Sequence, residues 1–298
     1  RDENGIDFRN DTDRADFIKA YYENVYSQPN ANLLNANCIE NFLGPITDVP
    51  EVLNAKLTHT EREELDSPLT LEELEKSINS ANMKSAPGAD GITNVFILHF
   101  WDLFKNPLHK YALKCYEMGE LSADFRRAKI RLIPKKGSKH SLKNWRPISL
   151  LGNFYKIISR AIAARLRKYM DKLTPTAQKG YSETRQCQEV LLSVVDTIAN
   201  CKFTQQKGAV LSLDLKKAFD SVSHDYMCRV YDFFNFGPSI KKWLKLLGTN
   251  RQACILLDND MCTDYFDLER GHAQGDNISP FAFNLGYQIL LFKLQYEL

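Results

Sequence analysis

The sequence predicts an α/β chain of the α+β kind, helix-rich with a small and mostly antiparallel sheet. Three observations lead there. Phe154, Ile157, Ile158, Ala161, Ile162, Leu166, Tyr169 and Met170 recur at helical spacing over 153–171, the strongest such pattern in the chain. Short apolar or alternating runs at 127–134 and 209–214 read as strands. Two more extended runs, 252–257 and 263–269, bracket the turn Asp258-Asn-Asp260 and read as a hairpin. With 298 residues, 44% hydrophobic and 26% charged, the chain has a globular composition and length enough for one large domain or two. No apolar run approaches the ~20 residues of a membrane span.

Taken in order, Phe17, Tyr21, Tyr22 and Tyr26 place a helix over 12–27, and the Asn- and Pro-rich stretch 28–50 reads as a linker. Thr70 and Glu73 form a capping box that starts a helix running to about Met83. The loop Lys84-Ser-Ala-Pro-Gly-Ala-Asp-Gly-Ile92 cannot be helical; it is either a connector or a backbone segment lying close to a ligand or strand. Helices follow at 93–104 and 107–119, with Phe96, Phe100 and Trp101 expected in the core. Residues 184–200 make another helix with Val190, Leu191, Val194, Val195 and Ile198 inward, and 225–236 and 238–248 two more. A last helix begins after Pro280.

Charge is unevenly distributed. The net charge of +2 hides an acidic first quarter, with 17 acidic and 6 basic side chains over 1–75. Residues 126–146 carry nine Lys or Arg and no acid, which suits a polyanion. In the strand 127–134, Arg127, Lys129 and Arg131 alternate with Ala128, Ile130 and Leu132, so one face is basic. Lys135-Lys136-Gly-Ser-Lys139 is the turn after it, and Trp145-Arg146-Pro147 begins the returning segment. Such a hairpin can clamp a triphosphate, with lysines as point charges and Arg146 as a bidentate fork. Lys156, Arg160 and Arg167 share the polar side of the helix 153–171, either tracking phosphates or facing water.

The run 209–214 ends at Asp214, with Leu211, Leu213 and Leu215 facing a core. A carboxylate at a buried strand end is costly unless compensated, and a bound cation is a common compensator. The other reading is a helix-capping Asp. Seven cysteines (38, 115, 187, 201, 228, 254 and 262) lie scattered without a CxxC, the usage of reduced thiols in an intracellular protein without a zinc site.

Singly these motifs are weak; in series they are specific. Lys84-Ser-Ala-Pro-Gly-Ala-Asp-Gly91, Arg131-Leu-Ile-Pro-Lys-Lys-Gly137, Asn144-Trp-Arg-Pro-Ile-Ser-Leu150, Gln178-Lys-Gly-Tyr181, Asp214-Leu-Lys-Lys-Ala-Phe-Asp220 and Gly271-His-Ala-Gln-Gly-Asp-Asn-Ile-Ser-Pro280 together resemble the reverse transcriptases of non-long-terminal-repeat (LINE-type) retrotransposons. The resemblance implies a right-hand polymerase, with an N-terminal extension over 1–60, fingers over 61–150 and part of the palm over 151–298. Its substrates would be a template RNA, a DNA primer and a dNTP, and its cofactor two Mg²⁺ ions. It makes Asp214 the first catalytic carboxylate and metal ligand, joined on the metal by the backbone carbonyl of Leu215. Phe219 becomes the steric gate against a ribose 2′-OH. Arg146 and Lys139 grip the triphosphate, and Gln274 and Gly275 contact the incoming nucleotide and the template base. Lys129, Arg131, Lys135, Lys136 and Arg160 are the expected nucleic-acid contacts. A nuclear and cytoplasmic location follows from that activity.

The aromatic-x-Asp-Asp motif that brings the other palm carboxylates does not occur before Leu298, and the chain begins without Met. The expectation is therefore a fragment, truncated before the second carboxylate motif and inactive in isolation. Asp220 reads as a capping or structural group. Two alternatives stay open: a non-catalytic RNA-binding remnant of the same fold, and a group II intron or retron-type reverse transcriptase.

Overall fold

The computed structural model describes residue 8 and residues 10–28, 39–175, 178–182, 184–258 and 261–297. Its elements run α1 (Asp11–Tyr26), α2 (Ile39–Leu43), α3 (Pro50–Asn54), α4 (His59–Asp66), α5 (Leu71–Asn79), α6 (Asn94–His99), α7 (Trp101–Met118), α8 (Ala123–Arg126), β1 (Arg127–Pro134), β2 (Trp145–Leu150), α9 (Asn153–Leu173), α10 (Cys187–Phe203), α11 (His224–Phe233), α12 (Pro238–Gly248), β3 (Arg251–Leu256), β4 (Phe266–Leu268) and α13 (Ser279–Glu297). The helix-rich α+β expectation holds. The sheet has the order β2-β1-β3-β4, with β1 parallel to β3 and both outer pairings antiparallel.

The alternation read in 127–134 is realised. Ala128 and Ile130 are buried beneath β1, while the Arg127, Lys129 and Arg131 side looks away from the core. The same logic operates in α9, whose stripe of Ile157, Ile158, Ala161, Ile162, Leu166 and Met170 is wholly buried against α5 and α13. The capping box at Thr70 is present, Glu73 accepting from the Thr70 N–H at 2.9 Å. The loop 84–92 does lie close to other backbone. A Cβ on Gly88 would fall 2.6 Å from the Gly152 Cα at the start of α9, so only glycine permits that crossing.

Several expectations fail, each for a stated reason. Residues 209–214 are not a strand: strand structure needs a hydrogen-bonded neighbour, and no described strand pairs with them. Leu211 and Leu213, expected against a core, are 78% and 63% exposed. The helix at 187–203 forms, but none of its residues is buried; Val190, Leu191, Val195 and Ile198 are exposed rather than inward. The expected linker 28–50 contains α2 and a 3₁₀ turn at Gly44–Asp48, which bury Ile39, Leu43 and Ile46, and ends at the start of α3, which buries Val52; residues 29–38, with Cys38, and the turn residues 259–260 lie outside the described ones. Pro107 does not separate two helices. The break falls at Phe100, and α7 runs on through the proline. Phe96 and Phe100 meet near the surface with ring centroids 4.9 Å apart and planes tilted by 57°, while Trp101 alone of the three is buried. The short helix α4 went unread although Thr58 and Glu61 form a second capping box.

Arg165 holds the N-terminal helices to α9. It is buried, and its guanidinium donates to both Glu73 carboxylate oxygens (2.5 and 2.7 Å) and to the carbonyls of Leu65, Ser67 and Pro68. Burial raises the Glu73 carboxyl, but the hydrogen bonds from Arg165 and Thr70 outweigh it and the net pKa is lowered. A depressed folded-state pKa adds stability that is present above the unfolded value near 4.5 and lost as pH falls through the folded value. Arg165→Ala should cost about 3 kcal/mol in denaturant titration at neutral pH, because it strands a carboxylate and three carbonyls. The difference between variant and wild type should shrink as the pH falls below that range; a constant difference would contradict the assignment.

Candidate active site

A cleft of ≈ 540 Å³ opens between the β1–β2 hairpin, the turn at 214–220, the segment before α13 and the face of α1. Its lining brings together Lys135, Arg146, Asp214, Leu215, Phe219 and Gln274, six residues singled out from sequence and separated by up to 139 positions. The hairpin also contributes Lys143, and the turn Lys216 and Lys217. The cleft is therefore strongly cationic around Asp214, which is exposed.

The hairpin is shaped by local bonds. The register pairs Ile133 with Arg146 and Pro134 with Trp145. The Lys135 N–H donates to the Asn144 carbonyl at 2.6 Å, and the Trp145 indole N–H to the Lys139 carbonyl at 3.0 Å. These bonds set Lys135 and Arg146 at the cleft and turn Lys139 outward. Lys139 lines a separate pocket of ≈ 270 Å³ with Phe17, Trp145 and Leu256 on the other side of the loop. Lys136 is exposed on the turn. Lys129 and Arg131 stand along β1 and do not line the cleft. Arg160 is outside it too: its guanidinium donates to the Ser77 carbonyl of α5 at 3.0 Å, in the packing of α9.

Behind Asp214 the chain folds into a turn, with the Asp220 and Ser221 N–H groups donating to the Lys217 carbonyl and Lys217 itself left-handed at φ 53°. That turn is laced to the segment before α13. The Gly271 N–H donates to the Val222 carbonyl and the His272 N–H to the Phe219 carbonyl, both at 2.8 Å. On the segment's other side the Ser149 N–H of β2 donates to the Gln274 carbonyl, also at 2.8 Å. Two glycines let the strips meet. A Cβ on Gly271 would lie 2.7 Å from the Asp220 carbonyl oxygen, and one on Gly275 2.7 Å from that of Ser149; both have positive φ. The Phe219 ring stacks on Phe283 of α13 at 4.8 Å, which holds it at the cleft edge.

Asp220 is a nearly buried part of the cleft lining. It accepts from the Tyr26 hydroxyl at 3.0 Å and from the Gln274 amide at 3.2 Å. Burial pushes its carboxyl up, against the two hydrogen bonds and the charges of Lys217 and Lys135. Tyr26 is raised well above the usual phenol range by burial and by the Asp220 charge. Lys217 is lowered, first by desolvation, and sits 4.8 Å over the Tyr21 ring. Asp276, at the α13 start, is buried and accepts from Tyr155 at 2.8 Å; it lies outside the cleft.

Residues 133–297 match a protein-family model described as Reverse transcriptase (RNA-dependent DNA polymerase). The chain belongs to the reverse transcriptase family. Similar proteins include an uncharacterized 149 kDa protein of transposon TX1 from Xenopus laevis, 32% identical over 237 residues, 80% of this chain and 18% of that protein. A Pol polyprotein of the type-1 retrotransposable element R2 from Popillia japonica is 31% identical over 229 residues, 76% of this chain and 31% of the relative. The RNA-directed DNA polymerase of mobile element jockey from Drosophila melanogaster is 29% identical over 201 residues, 63% of this chain and 22% of that one. This reverse transcriptase-family chain thus spans less than a third of each of these three relatives. The resemblance read from the motifs is borne out, and the relatives named for transposable elements favour it over the intron and retron alternative. No helix among the described residues is long and apolar enough to cross a membrane.

The aromatic stripe Phe17, Tyr21, Tyr22 and Tyr26 signals only a helix from sequence, yet Tyr21 and Tyr22, with Val25, wall the cleft. Helical spacing shows that such residues share a face but not what that face covers. Lys143, Lys216 and Lys217 were likewise unassigned. For these, adjacency to the motifs Trp145-Arg146 and Asp214-Leu215 was the available signal.

No cluster of three or more His, Cys, Asp or Glu able to hold a metal occurs among the described residues. Asp214 is an exposed carboxylate, which fits a magnesium that takes one or two protein oxygens and completes its shell with phosphate and water.

Gly275→Ala tests the close approach. With φ at +125° and a Cβ 2.7 Å from backbone oxygen, the variant should lose about 1–3 kcal/mol in denaturant titration. Wild-type stability in that variant would show that the segment and β2 are not in contact.

Proposed function

We propose that this chain carries the fingers and part of the palm of an RNA-directed DNA polymerase from a LINE-type retrotransposon. On this reading 61–150 are the fingers, 151–298 the partial palm and 1–60 an N-terminal extension. The substrates are a template RNA, a DNA primer and a dNTP, and the protein works in the nucleus after synthesis in the cytoplasm. One observation carries the reading: Asp214, Arg146, Phe219 and Gln274, drawn from three distant motifs, line one cationic cleft.

In this cleft Arg146 and Lys135 neutralise and orient the triphosphate, with Lys216 and Lys217 opposite them. The Phe219 ring, backed by Phe283, occupies the space a ribose 2′-OH would need. Gln274 meets the nucleotide from the segment bolted to β2. Asp214 and the Leu215 carbonyl would hold magnesium. When bound, that metal supplies positive charge to the primer 3′-hydroxyl and to the leaving pyrophosphate.

Primer extension on an RNA template by the natural full-length protein tests this reading. Asp214→Asn should lower the Mg²⁺-dependent rate roughly 10²–10³-fold, the scale of losing one transition-state-stabilising group. A variant that extends primers at the wild-type rate would overturn the assignment.

Binding can be read separately. Lys135→Ala with Arg146→Ala should flatten the salt dependence of template–primer affinity by roughly one phosphate contact each. An unchanged slope would mean these cations do not touch backbone.

A further inference from the structure

Asp220 has no part in the chemistry just described, yet it is one of the few buried carboxylates among the described residues and lines the cleft. We infer that Asp220 is a positioning residue for Gln274, holding the carboxamide with its nitrogen turned into the protein and its Oε1 left for the ligand. The inference rests on the reading of Gln274 as a nucleotide contact and adds how that contact is oriented.

The geometry is specific. The Gln274 Nε2 lies 3.2 Å from Asp220 Oδ1 and 3.4 Å from Oδ2, so one amide N–H is shared across the carboxylate. An ionised carboxylate only accepts, and an amide offers two donors on one side and an acceptor on the other. Asp220 therefore selects which end of the amide faces inward. The selector is itself held: the Tyr26 hydroxyl, at the last residue of α1, donates to Oδ1 at 3.0 Å in a buried contact. Turn bonds to the Lys217 carbonyl fix the Asp220 backbone, and the Ser149 bond fixes that of Gln274. The only free rotation left at Gln274 is in its side chain, and Asp220 removes it. Oε1 is an acceptor, so the ligand groups it meets are donors: a sugar hydroxyl or a base amino or imino group. The chain Tyr26–Asp220–Gln274 also makes α1, well before the sequence motifs, part of the site.

A double-mutant cycle on nucleotide affinity decides it, using Mg–dTTP on a poly(rA)/oligo(dT) template–primer. Asp220→Asn keeps shape, but with its Oδ1 still accepting from Tyr26 its N–H₂ takes the place of Oδ2 and meets Gln274 Nε2 donor to donor, so the carboxamide is no longer held across two acceptors and its nitrogen is pushed away from residue 220. Gln274→Ala should weaken binding roughly tenfold, the scale of one hydrogen bond. Asp220→Asn should weaken it similarly, and the double variant should be no weaker than Gln274→Ala alone. Losses that multiply to roughly a hundredfold in the double variant, or an Asp220→Asn protein of wild-type affinity, would overturn the inference while leaving the site reading intact. With the variants made in the natural full-length protein, Gln274→Ala at wild-type affinity, or a wild-type full-length protein that binds no nucleotide, would overturn the site reading and the inference with it. Should Asp220→Asn melt early, Tyr26→Phe replaces it: a roughly twofold loss that vanishes in the Gln274→Ala background supports positioning. A loss that persists there, or none at all, refutes it.

Discussion

One strip of backbone, Arg270–Gly275, is hydrogen-bonded on one side to the turn behind Asp214 and on the other to β2, and the cleft exists because of it. No backbone hydrogen bond among the described residues joins the cationic hairpin to the carboxylate turn directly; the strip makes the connection. The approach is close enough that side chains at Gly271 and Gly275 would collide with the carbonyls of Asp220 and Ser149. Glycine is required there because the backbone amides have to reach their acceptors across a gap that a Cβ would fill. The buried polar groups beneath the strip follow the same rule. Asp220 is tolerated out of water because each of its oxygens accepts a hydrogen bond.

The two sides of the cleft are supported unequally. The hairpin side rests on a four-stranded sheet whose inner face is filled by Ala128, Ile130, Ala253 and Ile255. The Asp214 side rests on a turn. Residues 209–214 continue away from that turn with their apolar side chains in water, next to an α10 that buries nothing. The segment carrying Asp214 is therefore anchored by the Lys217–Asp220 turn and by the Phe219 and Val222 carbonyls, which accept from the His272 and Gly271 N–H groups, and not by a sheet. The electrostatics compensate in part: the lysines and Arg146 around the cleft place positive charge where a triphosphate and its metal would bring negative and positive charge together.

Periodic elements were legible from sequence because their signal is local. Alternation in 127–134, the stripe of 153–171 and the capping box at Thr70 each follow from neighbouring residues, and each formed as read. The failures over burial share one cause. Burial of Phe96, Leu191 or Leu213 depends on what lies opposite, and a run of apolar side chains carries no information about its partner. Among the site residues, Arg146, Asp214, Leu215, Phe219 and Gln274 stood out because motif spacing is a local property too, and they share one cleft. Lys139 and Arg160 were chosen by the same means and point elsewhere, since charge alone does not say which side of a loop or helix a cation serves.

The sequence by itself determined the element types, the basic hairpin and the family, all of them encoded in short stretches read one at a time. Only the tertiary structure decided that α1 walls the cleft, that Tyr26 and Gln274 meet on Asp220, and that Arg165 gathers Glu73 with three carbonyls. These are contacts between residues 54 to 194 positions apart. They depend on how helices pack and where two glycines let backbones touch, and no local pattern of residues carries that.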